Sequence, residues 1–119
     1  MPGTSRHHWG TDIDLNDLNN EYFATGQGKK VYDWLVEHGA EYGFCQVYTE
    51  QGEARPEGYQ EEKWHWSYMP LASPFLQQYN KQVSYDDLGG FAGEEAAEQV
   101  GAIPKYVNGI APPCRDWEE

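Results

Sequence analysis

Trp64-His65-Trp66-Ser67-Tyr68 is the stretch that decides the fold, because polar and aromatic side chains alternate along it. Such alternation is typical of a β-strand, in which successive side chains point to opposite faces of a sheet. His65 and Ser67 would share one face of that strand. Asp12-Ile13-Asp14-Leu15 alternates in the same way, with its carboxylates on one face and its aliphatic side chains directed to a core. If the two stretches pair as antiparallel neighbours, Asp14 and His65 can meet on one face.

Helical patterns flank these strands. Apolar side chains recur at helical spacing before Gly43, which ends the pattern, and again after Pro70. The predicted helical segments are residues 29–42, 71–81, 85–88, 94–100 and 103–107. Residues 44–48 are rich in β-branched and aromatic side chains and predict a short strand, whereas residues 17–28 and 49–61 are predicted loops. Strands and helices in separate runs favour an α+β domain with a small antiparallel sheet.

Length and charge exclude several classes of partner. The chain has 119 residues, enough for one hydrophobic core. Its net charge of −12 disfavours nucleic acid and an anionic membrane surface, because both are recognised by Lys and Arg. No apolar stretch approaches the roughly 20 residues that span a bilayer, so we expect no transmembrane segment. Cys45 and Cys114 are too few to define a disulfide framework, and a bridge and two separate thiols both stay open.

The residues with metal-ligand chemistry lie in two separated stretches. His7 and Asp14 belong to the first and His65 to the second, and two imidazoles with one carboxylate form a standard ligand set for catalytic zinc. Glu62 lies three residues before His65, where a carboxylate can act as a general base. Taken singly, each of these residues is equally compatible with an ordinary surface or core role.

The pattern S-x-H-x6-D at residues 5–14, followed by E-x-x-H at residues 62–65, resembles the zinc D-Ala-D-Ala carboxypeptidases of the VanY type. Their fold is shared by vancomycin-resistance dipeptidases and the hedgehog signalling domain. The resemblance implies a hedgehog/DD-peptidase-like fold, with helices packed on one side of a small antiparallel sheet. It also implies that His7, Asp14 and His65 bind Zn²⁺ and that Glu62, rather than its neighbour Glu61, is the catalytic acid and base.

Further residues around the motif receive roles from the same resemblance. Ser5 is expected to hydrogen-bond the ligand loop and orient an imidazole. Trp64 and Trp66 are predicted to form the wall and core of the site, with substrate contact as the alternative. His8 is expected either to contact the substrate or a metal-ligating residue, or to be an exposed side chain beside the site. Asp12 stands where the family often has a small residue, and it is not a predicted ligand.

The resemblance implies one zinc peptidase domain over residues 1–119 that removes the terminal D-Ala from peptidoglycan peptides in the periplasm or cell envelope. Alternatives are a D-Ala-D-Ala dipeptidase, a muropeptide endopeptidase, and a non-catalytic hedgehog-like zinc module. Family members also carry an upstream segment with an arginine near the developing oxyanion. The four residues before Ser5 have no signal-peptide pattern, which fits either a cytoplasmic protein or a chain from which a leader and the upstream segment were removed, and the resemblance favours the second. Neither Arg6 nor Arg55 matches the family arginine. We therefore expect an incomplete oxyanion site.

Overall fold

The computed structural model describes residues 1–118 and combines a three-stranded antiparallel sheet with several helices. The strands are β1 (Asp12–Asp14), β2 (Phe44–Gln46) and β3 (His65–Tyr68), in the order β1-β3-β2. The α-helices are α1 (Gly26–His38), α2 (Met69–Gln82), α3 (Ala96–Gln99) and α4 (Pro112–Arg115). Shorter 3₁₀ turns cover Arg6–Trp9, Asn20–Ala24, Gly39–Tyr42 and Tyr85–Asp87, and a π-helical turn covers Ala102–Val107. The predicted α+β class is confirmed.

The predicted pairing of the two alternating stretches is also confirmed. β1 and β3 are antiparallel, with Asp14 opposite His65 and Asp12 opposite Ser67. Opposite residues of an antiparallel pair project from the same face of the sheet. The register therefore places these four polar side chains together on one face.

The two faces of the sheet are covered by different elements. On the face that carries Ser67, Cys45 lies opposite it on β2 and is bonded to Cys114 of α4. The main core on this side also includes apolar residues of α2 and of the chain before α4, among them Met69, Leu76 and Ile110. On the other face Trp66 is buried and packs against Tyr32 of α1. The helices that were expected on one side of the sheet are therefore α2 and α4. The other face of the sheet is covered by α1.

The helix predicted over residues 71–81 is α2, which begins two residues earlier. Proline in the first turn suits a helix start, because its missing N–H has no intrahelical partner there. Met69, Ala72, Leu76 and Tyr79 are buried at helical spacing, while Leu71 and Phe75 are exposed. The Tyr79 hydroxyl donates to the Gly3 carbonyl at 2.7 Å and fastens the start of the chain to this helix.

The helix predicted over residues 29–42 is divided into two parts. α1 begins three residues earlier and ends at His38, and a 3₁₀ turn continues to Tyr42. Gly43 ends the helical stretch in a left-handed conformation with φ of 91°. A Cβ atom at Gly43 would lie 2.9 Å from the Tyr68 ring, so this turn requires glycine for its conformation and for space. No helix among residues 1–118 is long and apolar enough to cross a membrane.

Three local predictions need correction. Residues 17–28 are not a continuous loop, since they contain the Asn20–Ala24 turn and the first residues of α1. Ile13 was expected to face the core but is 43% exposed, because it shares the face of Trp66 on β1, an edge strand of the sheet. β2 ends at Gln46, two residues before the predicted strand end.

Cys45 and Cys114 form a disulfide, the alternative that the sequence left open. Their Cα atoms lie 5.8 Å apart, within the range that a disulfide needs. The bond joins β2 to α4 across 69 residues of sequence. The end of the chain is therefore tied to the sheet that carries the candidate site.

Candidate active site

His7, Asp14 and His65 are brought together by a 3₁₀ turn and two paired strands. Ser5 caps the turn that carries His7 by accepting a hydrogen bond from the His7 backbone N–H at 3.2 Å. Gly10 ends the turn with φ of 71° and directs the chain into β1. One donor atom from each of the three side chains lies within 4.8 Å of the other two.

The hydrogen-bond partners of the two imidazoles indicate which nitrogen of each ring could bind a metal ion. His7 Nδ1 lies 3.2 Å from the Asp12 carbonyl oxygen, and His65 Nε2 lies 2.6 Å from the Asp12 carboxylate. Both oxygens only accept hydrogen bonds, so these two nitrogens carry protons. The second nitrogens also face carboxylates, with His7 Nε2 3.2 Å from Asp14 Oδ1 and His65 Nδ1 3.0 Å from Glu62 Oε1, and these are the nitrogens that could bind a metal ion.

Glu62 lies at the open side of this group. Its Oε1 atom is 3.0 Å from His65 Nδ1, the nitrogen that could bind a metal, and its side chain is 25% exposed. Glu62 lines the cavity described below, whereas Glu61 does not. Glu61 lies near Tyr32 instead, where burial of the phenol and, to a lesser extent, the Glu61 charge raise the pKa of Tyr32. The structure therefore separates the two adjacent carboxylates, with only Glu62 near the imidazoles.

Asn20 holds the backbone on both sides of Glu62. Its Nδ2 donates to the Glu61 carbonyl and its Oδ1 accepts from the Lys63 N–H, both at 2.9 Å. The Glu62 N–H donates to the Tyr48 carbonyl at 2.8 Å. Three hydrogen bonds thus fix the turn from which the Glu62 side chain projects.

Asp12 forms the buried base of the site. Its carboxylate has no exposed surface and accepts hydrogen bonds from Arg6, Thr11, His65 and Ser67. Burial alone would raise the pKa of Asp12, but the hydrogen bond from His65, the charge of Arg6 and the Ser67 hydroxyl hold it well below its usual range. Burial would lower the pKa of His65, yet its hydrogen bonds to Asp12 and Glu62 raise it above the ordinary value.

An open cavity of about 270 Å³ leads to these groups. Besides the residues already described, its walls are aromatic and apolar, formed by Leu18, Tyr48, Tyr59 and Trp64. Tyr48 packs edge-on against the His65 ring, with ring centroids 5.0 Å apart, and Tyr59 packs against Tyr48. The cavity therefore combines polar groups at its base with apolar walls, as small-molecule sites commonly do.

The comparison with known families agrees with this geometry. The sequence model of the VanY family, described as D-alanyl-D-alanine carboxypeptidase, matches residues 1–71. The chain belongs to this family. A protein of Haemophilus influenzae that is described as uncharacterised is 29% identical over 95 residues, in a match covering 70% of this chain and 71% of that protein. No solved structure matches the chain.

The family match includes every residue of the candidate site from His7 to His65. The donors of the group are two imidazole nitrogens and one carboxylate oxygen, which is the chemistry of catalytic zinc sites. Both imidazoles also have partners on their outer nitrogens, as metal-ligating histidines generally do. The residues present therefore fit a zinc ion of the VanY type.

Of the other residues predicted from the sequence, Trp64 lines the cavity, whereas His8 and Trp66 do not. His8 is exposed. Trp66 lies on the opposite face of the sheet, where it belongs to the core and donates from its ring N–H to the Lys63 carbonyl at 3.0 Å. Of the two predicted aromatic neighbours, only Trp64 can contact a ligand of this VanY-family site.

The two nearby arginines are both buried but differ in their relation to the cavity. The Arg6 side chain is fully buried between Asp12 and the Trp9 ring, whose centroid lies 4.8 Å from its guanidinium carbon. Arg55 is buried and donates to backbone carbonyls of Thr49, Glu57 and Gly109. Arg55 lies outside the cavity lining of this VanY-family site, whereas Arg6 lines the cavity, and its buried Nη1 atom has no hydrogen-bond partner among the described residues.

Asp12 and Asn20 are the site residues that sequence reasoning missed. A signal existed for Asp12, because alternation places it on the same face as Asp14, opposite Ser67. No comparable signal existed for Asn20, because its hydrogen-bond partners Glu61 and Lys63 are 41 and 43 positions away in the sequence. Such a contact between a loop and a turn leaves no periodic trace in the sequence.

Proposed function

We propose that the protein is a zinc-dependent carboxypeptidase that removes the terminal D-alanine from peptidoglycan stem peptides. Membership of the VanY family supports this reaction class. The observation that carries the proposal is the position of Glu62, whose carboxylate lies 3.0 Å from His65 Nδ1, the nitrogen that would bind the metal. A purely structural metal site has no use for a carboxylate placed beside its ligands.

His7, Asp14 and His65 would hold the zinc ion. The ion would lower the pKa of a water molecule to about 7 and polarise the carbonyl to be cleaved. Glu62 would accept a proton from water as the water oxygen bonds to the carbonyl carbon, and would return that proton to the D-alanine nitrogen as the C–N bond breaks. Asn20 keeps the backbone of this turn in place through both proton transfers.

The cavity suits the end of a peptide more than a large ligand. Its volume is about 270 Å³, and Tyr59 and Trp64 form walls against which a small side chain can pack. The chain carries a net charge of −12, Arg55 is held by backbone carbonyls, and Arg6, which lines the cavity, is paired with Asp12. Local recognition in the cavity, not long-range attraction, would therefore select an anionic peptide.

The test is release of D-alanine from a synthetic pentapeptide that ends in D-Ala-D-Ala. We expect release that stops with a chelator and returns with zinc, about one zinc per chain, and no release from a peptide ending in L-Ala. Release of intact D-Ala-D-Ala would instead indicate a dipeptidase, and cleavage of cross-linked muropeptides an endopeptidase. Stoichiometric zinc without hydrolysis of any of these substrates would refute the enzymatic proposal and favour a non-catalytic module.

We also propose that the protein works in the periplasm or cell envelope. The Cys45–Cys114 bond supports this, because disulfides persist mainly in oxidising compartments. Alkylation of thiols in freshly lysed cells should leave both cysteines unlabelled until a reductant is added. Labelling before reduction would contradict the proposed location.

A further inference from the structure

Asp12 contacts both imidazoles of the candidate metal group through two different acceptors. Its backbone carbonyl lies 3.2 Å from His7 Nδ1, and its carboxylate Oδ2 lies 2.6 Å from His65 Nε2. The two rings are stacked, with centroids 4.6 Å apart and planes inclined by 25°. A single residue therefore meets the outer nitrogen of each ring.

These contacts fix the proton positions of both rings. A backbone carbonyl and an ionised carboxylate accept hydrogen bonds and cannot donate them. Each ring must therefore direct an N–H toward Asp12 and turn its other nitrogen toward Asp14 or Glu62. Without such a partner, an imidazole can exchange its proton between nitrogens and rotate away.

The Asp12 carboxylate is itself held from several directions. Arg6 Nε donates to Oδ2 at 3.0 Å, while Ser67 and Thr11 hydroxyls donate to Oδ1 at 2.7 and 2.8 Å. Arg6 Nη2 also donates to Ser67 Oγ at 3.1 Å, which closes the network. With no exposed surface and four donors, this carboxylate has one orientation available to it.

We propose that Asp12 is a positioning residue that presents His7 Nε2 and His65 Nδ1 to the metal at the same time. This inference rests on the proposed zinc site and adds to it the residue that orients two of its three ligands. The carboxyl side chain acts on His65, whereas the backbone carbonyl acts on His7. Removal of the side chain should therefore weaken zinc binding through His65 and leave the His7 contact in place.

A buried ion pair with Arg6 is the competing explanation for Asp12. A purely structural pair would affect folding without changing the metal affinity of the folded chain. The two roles are separated by measuring the zinc dissociation constant of folded variants in competition with a fluorescent chelator. Outer partners of metal-ligating histidines typically contribute about 10–100-fold in metal affinity.

We expect Asp12→Ala to raise the zinc dissociation constant by about 10–100-fold. Ser67→Ala is the matched control, because it removes a hydrogen bond to the far oxygen of the same carboxylate without touching either imidazole, and should change the constant by less than about 10-fold. Because Asp12→Ala leaves the Arg6 charge unpaired, the double variant Arg6→Met with Asp12→Ala is measured as well. If Asp12→Ala is folded, a change of its zinc dissociation constant below about 10-fold overturns the proposal, and if it is not, the same result in the double variant overturns it.

A second measurement needs only the natural chain. In zinc-loaded protein, long-range ¹H–¹⁵N spectra of the histidine rings should place the proton of His65 on Nε2 and that of His7 on Nδ1. The opposite assignment for either ring would refute the role of Asp12 even if every variant failed to fold. Absence of zinc binding by the natural chain would refute the proposed function itself, a result distinct from unchanged affinity in the Asp12 variants.

Discussion

Replacement of Glu62 by glutamine is the sharpest test of the catalytic assignment. The two side chains have nearly the same shape, but the amide of glutamine cannot take a proton from water at neutral pH. Glu62 Oε1 lies 3.0 Å from His65 Nδ1, and the side chain is 25% exposed, so water can reach it. Loss of a positioned general base typically lowers turnover by about 10²–10⁴-fold. At about 1.36 kcal/mol per tenfold change, the barrier should rise by about 2.7–5.4 kcal/mol.

The assay is kcat for D-alanine release, measured together with the zinc content of each variant. Glu62→Gln should retain about one zinc, since the donors from His7, Asp14 and His65 are unchanged. Glu61→Gln is the matched control, because it makes the same change of charge one residue away, outside the cavity, and should keep nearly full turnover. If Glu61→Gln were the variant that lost activity, or if Glu62→Gln lost its zinc, the role given to Glu62 would be wrong.

Three further predictions follow from contacts around the site. Asn20→Ala removes two hydrogen bonds that hold the backbone around Glu62, so it should lower kcat by about 10-fold or more. The KM for the pentapeptide should stay nearly constant, and equal effects on both constants would contradict a positioning role. Replacing Cys45 and Cys114 by serine should reduce the free energy of unfolding by about 2–4 kcal/mol in chemical denaturation, and unchanged stability would show that the bond does not form. Because the folded chain holds the pKa of Asp12 below the unfolded value of about 3.9, its ionised form stabilises the fold above about pH 4 and loses this effect as the pH falls. In chelator, the difference in unfolding free energy between the natural chain and Asp12→Asn should shrink below about pH 4, and a difference that grew there would refute this.

The parts of the fold that were predictable are those with a periodic signal. Period-two alternation located β1 and β3 and placed Asp14 and His65 side by side, because side chains in strands alternate strictly between faces. Helical spacing located α2 to within two residues at its start. The same signals could not show that β1 is an edge strand, which is why Ile13 is exposed although its position in the pattern is that of a core residue.

The parts that were not predictable depend on contacts between distant polar residues. Arginine is rarely fully buried, so sequence patterns place Arg6 and Arg55 on the surface or in the cavity. In the structure each is buried because its guanidinium finds acceptors, a carboxylate for Arg6 and backbone carbonyls for Arg55. The family resemblance was correct about the VanY family, but it did not indicate how Asp12 is used.

The register of the sheet links stability to the proposed chemistry. Asp12 and Asp14 on β1 lie opposite Ser67 and His65 on β3, so a slip of one residue would replace polar site residues by Ile13 or Trp66. The slip is opposed mainly by Trp66, which is 3% exposed in the native register. Exposing a buried tryptophan of about 150–250 Å² costs about 4–6 kcal/mol at about 25 cal/mol per Å². Burial of an aromatic side chain on one face therefore keeps the two imidazoles and the carboxylate within 4.8 Å of one another on the other face.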